Sequence, residues 1–93
     1  MRTALHGDAV SVARVLLGAP PERRRWILRR ICREADLAHR FFRDRHRPHP
    51  IWGDGSLMTA ALRRHPLPEP GLDSADYCRC LAMTYQALGA RGH

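Results

Sequence analysis

Near the N-terminus, Ala9, Val12, Ala13, Leu16 and Leu17 recur at steps of three and four residues. This spacing predicts an amphipathic helix over 8–17, with Asp8 as its cap and Gly18 as its stop. Pro20 and Pro21 follow, suiting a connection and the first turn of a second helix, where Glu22 complements the helix dipole. That second helix is predicted over 21–44. Its apolar stripe is Ile27, Ile31, Ala35, Ala38 and Phe42, flanked by Leu28 and Phe41, all on one face at ~100° per residue. Arg25, Arg29, Arg33, Arg40 and Arg43 lie roughly opposite. Asp36 interrupts this arginine stripe at spacings that pair it with Arg33 and Arg40.

Residues 45–55, Arg-His-Arg-Pro-His-Pro-Ile-Trp-Gly-Asp-Gly, have no usable period and read as a loop. Ser56 is the expected cap of a third helix, Ser-Leu-Met-Thr-Ala-Ala-Leu-Arg-Arg-His, which Pro66, Pro68 and Pro70 end. The prolines hold the following stretch extended. Asp73 or Ser74 caps a fourth helix with Asp76 in its first turn, Tyr77, Leu81, Thr84 and Leu88 on its buried side, and Gly89 closing it. No run alternates at period two long enough to be a strand, and no internal repeat is present. The expected fold is all-α: a single domain over 1–93 with about four helices. Unequal lengths exclude a regular up-down bundle, so one long arginine-rich helix is expected to be the central platform for three shorter ones.

Composition sharpens this picture. The chain has 93 residues, 16 basic against 9 acidic, and a formal charge of +7; 44% of its residues are hydrophobic. It has room for one modest core and none for a large multidomain enzyme. Every basic residue is arginine, and asparagine is absent. A GC-rich genome accounts for part of that bias, yet the chemistry differs from a lysine surface, because guanidinium groups fork onto carboxylates and phosphates and stack on aromatic rings. Three cysteines, Cys32, Cys78 and Cys80, form no closed disulfide framework and suit a reducing cytosol. Asp8 and Arg14 interrupt the segment where a signal peptide needs its apolar run, and no stretch has the ~18 apolar residues of a membrane helix. The expectation is a cytoplasmic protein without a membrane association.

Three constellations offer chemistry. First, His46, His49, Trp52, Asp54 and Ser56 crowd into one Gly/Pro-rich loop leading into a helix. Read as a site, the amides opened by Gly53 and Gly55 bind a carboxylate or phosphate, with His49 and Trp52 closing over it. Read as structure, Asp54 takes backbone amides in a tight turn, Ser56 caps, and Trp52 anchors the loop. Second, His46 and His49 with Cys78 and Cys80 make a nominal zinc set. On a helix, however, the two cysteines diverge by ~200°, so no metal or other cofactor is expected. Third is the arginine stripe itself, together with Trp26 at the edge of the apolar stripe beside Arg29 and Arg30. Trp and Arg are the residue types most often found at binding hot spots, although a solvated face or a partly buried Trp26 would read the same way.

No nucleophile elbow, phosphate loop or paired metal motif appears, and an enzyme is not expected. Helix-turn-helix spacing is also missing, which disfavours sequence-specific DNA reading. His49-Pro50-Ile51-Trp52-Gly53-Asp54-Gly55-Ser56-Leu57-Met58, with Asp76-Tyr77-Cys78 and His6-Gly7-Asp8, resembles a family of short alphaproteobacterial proteins. The resemblance implies an intracellular bacterial setting and a small helical fold, and carries no activity or catalytic residue. The reading favoured by the residues is a non-enzymatic adaptor docking onto an acidic protein partner through Arg25, Arg29, Arg33, Arg40, Arg43 and Trp26, with the loop as a second contact. Nonspecific binding to a nucleic-acid backbone is the alternative, and pairing of two long helices in a homodimer is one way to cover surplus apolar surface.

Overall fold

Between His6 and Leu17 small and apolar side chains occur on nearly every side of the helix, so it has little surface suited to water. In the computed structural model, which describes residues 1–91, that helix is α1 (His6–Leu17), followed by α2 (Pro21–Arg45), α3 (Leu57–Leu62) and α4 (Ala75–Arg91). The described residues contain no strand, only a single antiparallel bridge between His49 and Gly53. None of these helices is long and apolar enough to cross a membrane. The fold is all-α, with one long helix and three shorter ones. α2, at ~37 Å, nearly spans the 42 Å long axis of the molecule. The element that touches all the others is α1, which packs on α2, α3 and α4. Ala9, Val12, Ala13 and Leu16 are fully enclosed there, the alanines allowing close approach of neighbouring backbones. Ile31 and Ala35 of α2, Leu57 and Ala60 of α3, and Tyr77 and Cys80 of α4 complete the core.

Several local expectations are corrected. Asp8 lies inside α1 rather than at its cap. From the third helical position its Oδ2 accepts the Leu5 amide at 2.8 Å and its Oδ1 the Met58 amide at 2.9 Å, so one buried carboxylate serves the N-termini of both α1 and α3. The apolar stripe of α2 buries Ile31, Ala35 and Ala38, but Ile27 is only half-buried and Phe42 is 40% exposed. The face is turned toward Leu28 and Cys32, and the last turns of α2 run past the end of the core. α3 stops at Leu62, three residues short of expectation, with Ser56 capping it as predicted through a bond from the Thr59 amide at 3.1 Å. The proline-rich stretch after it is pinned to α1 reciprocally: the Leu67 amide donates to the Arg14 carbonyl at 3.2 Å, and Arg14 Nε to the Leu67 carbonyl at 2.7 Å. Ser74 caps α4 by accepting the Tyr77 amide. Gly89 does not end α4, which continues to Arg91, because a distant carboxylate, Asp36, holds its last turn.

Candidate interaction surface

On α2, Arg25, Arg29, Arg33, Arg40 and Arg43 fall within about 80° of one another around the helix axis, and all five are exposed. None of them makes an ion pair among the described residues. The expected pairing of Asp36 with Arg33 and Arg40 is not formed. Asp36 bonds instead to the Met1 ammonium at 2.7 Å and to Arg91 at 2.6 Å. Burial pushes the Asp36 carboxyl up, but these two cations outweigh it and hold it below the ordinary carboxylate range. The arginine stripe is therefore less neutralised than its spacing suggests. Trp26, at the edge of this stripe, is 54% exposed, so it is a surface residue and not part of the core. The guanidinium groups of Arg23 and Arg30 lie 5.4 and 5.5 Å from its ring centroid, within cation–π range.

Two other charged residues of α2 are structural, and the sequence reading missed both. Arg24 is only 6% exposed. Its Nε donates to the carbonyls of Leu16 at 2.8 Å and Ala19 at 3.2 Å, at and just past the end of α1, while its fork grips Asp76 at 2.8 Å through both nitrogens. Glu34 is buried and receives the fork of Arg64 at 2.7 and 2.6 Å, with Arg30 at 3.8 Å and Arg63 at 3.9 Å. A helical-wheel placement would have found both: Arg24 lies in the middle and Glu34 at the edge of the arc that carries the buried Leu28, Ile31, Ala35 and Ala38.

Arg24–Asp76 joins the first turns of α2 and α4, and Asp36–Arg91 joins them again farther along, so the two helices run side by side in the same direction. Their backbones do not pack along one another between these bridges. A trough of about 670 Å³ opens there, with Leu28 and Cys32 of α2 and Met83 and Ala87 of α4 as its apolar lining and Arg25, Arg29 and Arg33 along one rim.

The loop residues come together as a turn. His49 Nδ1 accepts the amides of Ile51 at 3.0 Å and Trp52 at 3.1 Å, and its ring stacks on Trp52 with centroids 4.7 Å apart. Asp54 accepts the Ser56 amide at 2.9 Å and the Thr59 hydroxyl at 3.0 Å, and Arg2 reaches its other oxygen at 2.8 Å. The Ser56 amide is the main influence lowering the Asp54 carboxyl below its usual range. Of the amides at the start of α3 offered to an external anion by the sequence reading, those of Ser56, Met58 and Thr59 are thus bonded by Asp54, Asp8 and Ser56. A carboxylate of the chain itself occupies their positive end. His46 stands apart, exposed and left-handed at φ 57°, as the C-cap of α2. Cys78 is at the surface and Cys80 in the core, so the two do not converge.

The family described as Domain of unknown function (DUF7742) matches residues 2–88. The chain belongs to this family. The match takes in α1, α2 and α3, the 46–56 loop and α4 as far as Leu88, so the trough lining other than Ala90 and Arg91 lies within the family domain. No curated protein and no solved structure matches the chain.

Proposed function

We propose that this protein is a non-enzymatic interaction module that docks onto an acidic protein surface through the arginine face of α2, with Trp26 as an anchor. The observation that carries this reading is the co-location of unpaired charge and apolar shape. Five exposed arginines have no ionic partner among the described residues; an exposed tryptophan lies at the edge of this stripe, and three of the five, Arg25, Arg29 and Arg33, rim an apolar trough. A phosphate backbone needs only the charge, whereas a protein partner uses both. Three free thiols, two of them buried, support a reducing cytoplasmic setting.

The test is fluorescence anisotropy with labelled random-sequence DNA and RNA and with a peptide of mixed glutamate and leucine residues, each titrated with salt. The expected result is peptide binding that survives at ~150 mM salt, while nucleic-acid binding disappears there. Arg25→Glu/Arg29→Glu/Arg33→Glu should abolish peptide binding with the fold intact. Nucleic-acid binding that survives physiological salt, with a slope equivalent to about four or more phosphates, would replace the protein partner with a nucleic-acid backbone.

A further inference from the structure

We infer that the trough between α2 and α4 is the seat of a single amphipathic helix, acidic along one flank, contributed by the partner protein. This rests on the docking function proposed above and assigns it a place and a ligand shape. The argument begins with the two ion pairs. Arg24–Asp76 and Asp36–Arg91 tie the helices together at two levels, with the trough between them. The 12 residues separating Arg24 from Asp36 span ~18 Å of α2, or a little more than three turns of a docked helix.

The walls differ in a way that selects the ligand. Arg25, Arg29 and Arg33 advance four residues at a time, ~6 Å per step, and acidic residues at i, i+4 and i+8 of an adjacent helix have the same spacing. Leu28, Cys32, Met83 and Ala87 present an apolar floor suited to the neighbouring row of the same ligand. On the α4 wall Gln86 and Ala90 are uncharged and the charge of Arg91 is answered by Asp36, so acidity is favoured on the α2 flank. Asp36, the one carboxylate in the lining among the described residues, is already held by the Met1 ammonium and Arg91, which limits its repulsion of an acidic ligand. A second copy of this chain is disfavoured as the occupant by its own charge of +7.

The experiment uses three labelled peptides at physiological salt. One carries glutamates at i, i+4 and i+8 beside a leucine row; the second has the same residues permuted so that the rows are lost; the third keeps the glutamates but has glutamine for leucine. Each is titrated against the wild-type chain, Arg25→Glu/Arg29→Glu/Arg33→Glu and Gln86→Trp. Gln86 is exposed on the trough wall, so a tryptophan there fills the trough without touching the core, and circular dichroism verifies the fold of each variant. The expected result is that the patterned peptide binds at least about tenfold tighter than the other two, and that both variants weaken it by at least that factor. Equal binding of patterned and permuted peptides, or binding unmoved by Gln86→Trp, overturns the trough as the seat while leaving the acidic docking function standing. If no peptide binds and the random nucleic acids do, both readings fall. Failure of the patterned peptide alone overturns the trough.

Discussion

Arg24 and Arg25 are adjacent in the chain, yet the structure assigns them opposite energetics. Arg24→Ala removes a charge-assisted bond to the buried Leu16 carbonyl and two longer ones, to Ala19 and Leu17. The first is worth ~1.5–3 kcal/mol and the longer two together about 1. Two buried methylenes add ~1.5 kcal/mol, against which the truncated chain regains ~2 kcal/mol of side-chain entropy. The Leu16 carbonyl is not left bare, because the Ala19 amide still reaches it at 3.0 Å. The net loss is about 2–3.5 kcal/mol, with the solvent-edge bonds to Asp76 left out of the figure. For a chain of this size that is a fall of roughly 10–30 °C in Tm. Arg25→Ala, at an exposed position with no partner, should change stability by no more than ~0.5 kcal/mol. Urea and thermal unfolding followed by far-UV circular dichroism measure both. Equal costs for the two variants would refute the division of the arginines into structural and free.

Gly55 sits at φ 93°, and a Cβ there would come 2.7 Å from Cα of His39, a backbone atom that cannot swing away. Gly55→Ala should therefore destabilise by ~2–4 kcal/mol, whereas Gly89→Ala, in open space within α4, should stabilise by ~0.5–1 kcal/mol; denaturant midpoints moving in the same direction for both would contradict this. Burial raises the Cys32 and Cys80 thiols and Cys78 is exposed, so a thiol reagent should modify Cys78 rapidly and the other two only on unfolding, a difference lost in Cys78→Ser. Asp36, Asp54 and Asp76 are all held below the ordinary carboxylate value, Asp76 chiefly by its bonds from Arg24. Groups depressed in this way stabilise the fold above their unfolded value of ~3.9, and that contribution is lost as pH falls through their lower folded values. Tm should hold level from neutral pH to about 4 and then decline, less steeply in Asp54→Asn.

The local signals were legible because they act over a few residues. The periodicity of α1 and α2, the Ser56 and Ser74 caps and the helix-breaking prolines identified four helices from spacing alone. The turn chemistry of Gly53-Asp54-Gly55-Ser56 was equally local, and Asp54 does bond the Ser56 amide two residues on. The stop at Gly89 failed because glycine only weakens a helix, and the ion pair from Arg91 to Asp36 holds the last turn in place.

By itself, the sequence determined an all-α chain, a long arginine-rich second helix and a surplus of positive charge. Only the tertiary structure decided which charges are occupied. Arg24 meets Asp76 across 52 residues, Glu34 meets Arg64 across 30, and Asp36 turns to Arg91 across 55, leaving Arg33 and Arg40 without an ion pair among the described residues. Helical spacing reports only neighbours three and four residues away, so it nominated Asp36 for the wrong partners. An arginine becomes structural or available according to which carboxylates and carbonyls the packed helices bring within bonding distance. The trough has the same origin, since it exists only where α2 and α4 are bridged without packing together between the bridges.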